Sequence, residues 1–195
     1  RPPGELSSPG GVGWVVSPPP RRHRPGSRAC GRSSNLRRPM PHHLAQLNIA
    51  RLRYPIDAPE TQGFVAELEP VNALADEAPG FVWRLQTDEG DATSIRLFDD
   101  DLLIVNLSVW ESVEAWHAFV FSGRHRDVMR RRREWFDRMH DAYTVMWWVP
   151  AGHRPSADEA LQRLELLRRD GPSPAAFTSG RAFTPEGELV SSGRE

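Results

Sequence analysis

Residues 102–112 read LLIVNLSVWES. The first nine are almost continuously apolar, the pattern of a strand covered on both faces. Successive strand side chains point to opposite faces, so Leu102, Ile104, Asn106, Ser108 and Trp110 share one of them. The stretch HLAQLNIARL at 43–52 alternates in part and puts Leu44, Gln46 and Asn48 on one face. Polar side chains therefore fall where the apolar neighbours require burial. A buried amide must be hydrogen-bonded, and at a site it can orient a ligand or hold a developing negative charge. The alternative is that these groups satisfy one another or cap backbone at strand ends.

Working outward, Asp57-Ala-Pro-Glu60 has the form of a helix start, with Asp57 as N-cap and Pro59 in the first turn. Phe64, Leu68, Val71, Leu74 and Ala75 follow at helical spacing, and Pro79-Gly80 ends the run. Residues 81–87, FVWRLQT, predict a second strand, and 93–98 a short extra one. After the WES corner, helical patterning runs from Ser112 to about Asp141, with a break at Ser122-Gly123. YTVMWWV at 143–149 is the last core strand, and Ser156-Ala-Asp-Glu159 is a capping box for a helix to Arg169.

The order strand, helix, strand, strand, helix, strand is the split βαβ, ferredoxin-like pattern, an α+β fold with a four-stranded antiparallel sheet. An extra C-terminal helix follows it. One helical layer leaves the other sheet face bare, so a homodimer through the sheet faces, a dimeric α/β barrel, is expected.

The domain is expected over 40–170, followed by an irregular tail over 171–195 with a short arm near 176–184. Residues 1–39 hold eight prolines, six glycines and eight arginines against one acid, Glu5. This Arg/Pro/Gly-rich stretch cannot bury enough apolar area to fold, so a disordered extension is expected there, with Met40 as the natural start. The rest of the chain is acidic, with 17 arginines against 25 acids, and lysine is absent. No lysine Schiff base is possible. The one cysteine, Cys30, excludes an intrachain disulfide and any cysteine-built metal site. HExxH, HxH, P-loop, GxSxG and GxGxxG motifs are absent, so no metal is expected. No window approaches the roughly 18 apolar residues of a membrane span. The apolar stretch VGWVV at 12–16 is shorter than a signal-peptide core of about 7–15 residues. A cytoplasmic protein without membrane contact is expected.

The second half of the long helical region joins His125, Met129, Arg132 and Phe136 by steps of four, three and four. His125 heads this inward stripe and could serve as general base, ligand donor or metal ligand; the plainer reading is a histidine bonded to backbone at a helix entry. Arg124, Arg126, Arg130 and Arg133 fall on the solvated side. Asp127, Glu134 and Asp137 interleave with them, which argues against nucleic acid. Six tryptophans lie in the patterned region. Most are expected in the core, with Trp110 and Trp148 as walls of a flat pocket for a planar ligand.

The stretches LAQLNIARL, APGFVWRL, LLIVNLSVWES, RRRREWF and MWWVPAGHRP together resemble the bacterial family catalogued as domain-of-unknown-function 3291, over about 43–170. The resemblance implies a dimeric α/β-barrel fold. A more distant one runs to antibiotic-biosynthesis and haem-degrading monooxygenases. Their strand Asn resembles Asn48, and their Trp-x-Ser resembles Trp110-Glu111-Ser112. The position implied for a haem-ligating His holds Met129, the helix Trp is replaced by Phe119, and His125 lies one turn earlier.

The functional expectation is a small-molecule enzyme, monooxygenase-like and cofactor-independent, acting on a planar aromatic or polyketide-like substrate. His125 and Asn48 would be catalytic, and Trp110, Arg132, Trp148 and Asn106 would bind substrate, Arg132 by pairing an anionic group. The alternatives are a non-catalytic ligand-binding dimer and a haem-binding protein ligated through His125.

Overall fold

A computed structural model describes residues 41–87, 91–93, 98 and 100–190. The expectation for 1–39 lies outside these residues, as does most of the short strand expected at 93–98. The ordered elements are β1 (His42–Arg51), α1 (Gln62–Asp76), β2 (Phe81–Arg84), β3 (Leu103–Trp110), α2 (Val113–Val120), α3 (Gly123–Arg131), β4 (Thr144–Pro150) and α4 (Ala157–Asp170). The strands form one antiparallel sheet in the order β2-β3-β1-β4, which is the ferredoxin-like arrangement.

β1 is the hub. It pairs with β3 in the register Leu44↔Trp110, Gln46↔Ser108 and Asn48↔Asn106, and with β4 in the register Leu44↔Trp148 and Asn48↔Thr144. Each face of the sheet is thus read off as rows across three strands. Ala45, Leu47, Ile49, Val105, Leu107, Val109, Val145, Trp147 and Val149 occupy one face, and all are buried. Ala160, Leu164 and Leu167 of α4 close over them, with Leu85, Phe98 and Met139 packed alongside. Ser156 starts α4 as predicted, its Oγ accepting from the Glu159 N–H at 3.1 Å. Sequence reasoning left this face for a second copy of the chain. It is covered from within, so the sheet-face dimer lacks its premise, an open face, among the described residues.

Two local expectations need correction. Asp57 does not cap: a 3-10 turn, Pro59–Thr61, opens on Ala58 with no side-chain cap, and α1 follows with Pro70 inside it. The helix expected to run to Asp141 stops at Arg131, tightens to a 3-10 turn over Arg132–Glu134 and then extends. The cause is β1, whose end captures the chain: Arg53 N–H donates to the Trp135 carbonyl at 2.9 Å, Asp137 N–H donates to the Arg51 carbonyl at 2.9 Å, and Leu52 bridges Phe136. Residues 171–190 have no regular element, yet Phe177 exchanges two 2.8 Å backbone bonds with Met146, and Ala176, Phe177, Ala182 and Phe183 are buried.

Candidate functional site

The second sheet face divides into three rows, each with a different fate. The first row, Leu44, Trp110 and Trp148, is roofed by Trp116 of α2 and by Phe177 and Phe183 of the C-terminal arm. The middle row is polar and closed on itself: Ser108 Oγ donates to Gln46 Oε1 at 3.1 Å, and Trp110 Nε1 donates to Ser108 Oγ at 3.0 Å. Gln46 and Ser108 are only 5% and 6% exposed, so this chain of bonds is what makes their burial tolerable. The third row, Asn48, Asn106 and Thr144, has no such roof.

Above that third row lies a cavity of about 960 Å³. Its floor includes Asn48, Ala50, Ile104 and Asn106 from the sheet. Phe64, Leu68 and Val71 of α1 form one wall. These are the apolar positions that helical spacing singled out, and they stay only half-buried because they face the cavity rather than a packed core. His125, Val128 and Met129 of α3, with Arg132, Arg133, Phe136, Arg138 and Met139 beyond it, form the other wall.

The cavity therefore brings together His125, Asn48, Asn106 and Arg132 among the residues expected from sequence. It excludes both tryptophans. Trp110 is 2% exposed and stacks on Phe119 with ring centroids 5.2 Å apart. Trp148 lies at the arm, its Nε1 donating to the Phe183 carbonyl at 2.6 Å. Both belong to the first row, two register steps from Asn48, where α2 and the arm fill the space. The aromatic surface of the cavity is Phe64, Phe136 and Tyr143 instead. Phe64 and Phe136 meet edge to face with centroids at 4.9 Å. Helical spacing flagged Phe64 and the inward stripe flagged Phe136, whereas nothing in the sequence marked Tyr143. Arg133 is exposed, as expected, and also lines the cavity, because the 3-10 turn changes the angular step beyond Arg131.

Trp110 acts on the site at one remove. Phe119 lies between its ring and that of His125, whose centroid is 5.0 Å from Phe119. His125 Nδ1 is 2.8 Å from the Val120 carbonyl. A carbonyl only accepts, so Nδ1 carries the proton and Nε2 keeps a lone pair. Burial lowers the imidazole pKa, and the bond to Val120 opposes this in part. The ring is thus neutral at neutral pH, with its tautomer fixed. The backbone-bonded reading of His125 and the base reading are compatible, since the two nitrogens have separate tasks. Met129, where the distant resemblance implies an iron ligand, is a half-exposed thioether on the same wall.

Asn48 is set in the same manner. Its Oδ1 accepts from Thr144 Oγ1 at 2.9 Å, which leaves the amide NH2 as the group with capacity to donate. Asn106 stands directly opposite it in the β1–β3 register and is exposed. His153, in the loop after β4, lies 2.8 Å from one Glu159 oxygen, and the other Glu159 oxygen accepts from Trp147 Nε1 at 3.0 Å. Among the described residues no cluster of three or more His, Cys, Asp or Glu is placed to hold a metal ion.

The model of DUF3291, a domain of unknown function, matches residues 43–192. The chain belongs to the DUF3291 family. No curated protein matches it. Among solved structures, SnoaB, a cofactor-independent oxygenase from Streptomyces nogalater, is 17% identical with a TM-score of 0.38, over 60% of this chain and 98% of that one. PA3566 from Pseudomonas aeruginosa is 12% identical with a TM-score of 0.39, over 60% and 98%. A protein of unknown function from Nitrosomonas europaea is 11% identical with a TM-score of 0.37, over 60% and 99%. No helix of this DUF3291 member, among the described residues, is long and apolar enough to cross a membrane.

Proposed function

We propose that this protein is a small-molecule enzyme of the cofactor-independent, monooxygenase-like type, acting on a planar aromatic or polyketide-like substrate. One observation carries the reading: a neutral imidazole with a fixed tautomer and two strand amides border the same largely apolar cavity. His125 Nε2 takes a proton from an acidic carbon of the substrate, a CH2 between two aromatic rings and conjugated through them with a carbonyl. The charge left behind moves to the substrate oxygen, where the NH2 groups of Asn48 and Asn106 donate to it. The resulting anion is electron-rich enough to react with dioxygen directly. The CH2 becomes C=O, one oxygen atom enters the product and the other leaves as water with both substrate hydrogens. The substrate carbon supplies all the electrons, so no external reductant is needed.

The test is oxygen uptake by purified protein with a hydroxyanthrone as probe. Replacing His125 by Ala is expected to lower kcat/KM by about 10²–10⁴-fold. Replacing Asn48 by Ala is expected to lower kcat by about 10²–10³-fold. Full activity in both variants removes the assignment. Tight probe binding without turnover in the unaltered protein identifies a ligand-binding protein instead. Titration with haemin tests the haem alternative: a Soret shift that is lost in His125→Ala makes His125 a ligand rather than a base.

A further inference from the structure

The cavity border carries five arginines, Arg53, Arg84, Arg132, Arg133 and Arg138, against three carboxylates, Glu67, Asp91 and Asp137. Most of these charges are already matched. Arg84 holds Asp76 through two bonds of 2.8 and 3.0 Å. Arg53 lies 3.7 Å from Asp137, which Arg51 also holds at 2.9 Å. Glu67 is held by Arg124 at 2.6 Å, and that bond keeps its carboxyl below the usual range. Asp91 folds back on its own loop, accepting from the Thr93 N–H at 2.8 Å and from its hydroxyl at 2.7 Å. The neighbouring run behaves likewise: Arg130 lies 3.5 Å from Asp127, while Arg131 pairs with Glu134 at 2.9 Å and sits over Trp135.

Arg132, Arg133 and Arg138 are different. Among the described residues none of them has a carboxylate within ion-pair distance, and all three border one cavity. All three residues are exposed, so their guanidinium groups give this part of the cavity border a positive field open to an anion. Arg132 continues the inward stripe of α3, and the 3-10 turn brings Arg133 to the same cavity. The apolar part of the lining includes Phe64, Leu68, Val71, Val128 and Phe136, with Glu67 and Asn72 beside them on α1.

We propose that the substrate class is an amphipathic anion: a planar apolar body that enters the slot, with one carboxylate held by Arg132, Arg133 and Arg138. Guanidinium groups suit a carboxylate because their planar N–H pairs match its two oxygens. Asp91 disfavours a second anionic group elsewhere on the border. This rests on the proposed small-molecule site and adds the chemistry of the substrate's polar end.

The experiment is calorimetric titration with two isosteric probes, 2-naphthoate and 2-naphthamide, at low and at high salt. The naphthoate is expected to bind about tenfold more tightly at low salt, with the preference shrinking as salt rises. Replacing Arg132, Arg133 and Arg138 together by Gln is expected to bring naphthoate affinity down to that of the amide. Replacing all three by Lys is expected to keep most of the preference, which separates charge from damage to the fold. Equal binding of the two probes by the unaltered protein, or a preference that survives in the Gln variant, overturns the anion assignment and leaves the cavity reading in place. Failure of both probes to bind at millimolar concentration overturns the cavity reading as well.

Discussion

At the scale of single residues, His125 makes the sharpest prediction. Its folded-state pKa lies below the ordinary value near 6.5, because burial disfavours the imidazolium. A base must be neutral, so the acid limb of kcat/KM is expected below pH 6.5, displaced from where a solvated histidine would put it. A profile that begins to fall above pH 6.5 would contradict this. The same shift has a stability consequence. An unfolded chain binds the His125 proton before the folded one does, so stability declines as pH falls below about 6.5 and levels off below the folded pKa. Denaturant titrations across that range, compared with His125→Phe, isolate the contribution. The placement of His125 and Asn48 on one cavity was legible in the sequence, since a histidine heading an apolar stripe and an amide inside an apolar strand both break their local pattern. A backbone partner for His125 was legible at its helix entry, and the structure identifies it as the Val120 carbonyl five residues earlier. The partner of Asn48 was not legible, because Thr144 holds it across 96 positions of chain and no spacing rule reaches that far.

At the scale of elements, Gly80 and Trp110 carry the most weight. Gly80 turns α1 into β2 at φ +79°, and an added Cβ would sit 2.6 Å from the Ala115 Cβ. Its carbonyl also accepts from the Glu111 N–H at 2.7 Å, so the turn cannot drift from α2 at low cost. Gly80→Ala is expected to destabilise by about 1–3 kcal/mol in urea denaturation, from the backbone conformation and the overlap together. Trp110→Ala is expected to cost about 3–5 kcal/mol and to loosen Phe119, and with it the ring of His125. Its signature is a combined loss of stability and of the displaced pH limb. Periodicity identified all four sheet strands and the α4 cap, because each is settled by a run of neighbours. It mistook residues 132–141 for helix and placed Trp110 and Trp148 in the pocket. Helical spacing continued past Arg131, but the competing backbone bonds come from β1, about 80 residues earlier. Alternation put Trp110 on the correct sheet face; which rows of that face are roofed depends on α2 and the arm.

At the scale of the whole molecule, the arm at 171–190 does more than fill space. β4 lies at one edge of the sheet, and Phe177 occupies the backbone groups of Met146 that an unprotected edge would offer to another chain. Phe177→Asp is expected to release the arm, lower stability by about 2–4 kcal/mol and promote concentration-dependent self-association. Size-exclusion chromatography across a dilution series measures this; an unchanged elution profile with unchanged stability would show that the arm is not a guard. The ferredoxin-like order could be read from the sequence, because it follows from element succession alone. The self-covered face could not, since a helix after the last strand can pack on either side or on neither.

The Gln46–Ser108–Trp110 chain of bonds has a consequence for how this protein can change. It runs across the sheet like a bulkhead, with the cemented core on one side and the ligand floor on the other. Substitutions at Asn106, Val71 or Arg138 lie beyond it and share few neighbours with Leu44, Trp116 or Phe177, so their effects on folding should add independently. The one described link across the bulkhead is the Trp110–Phe119–His125 row of rings, so Trp110 is the position where a change on the packed side reaches the cavity.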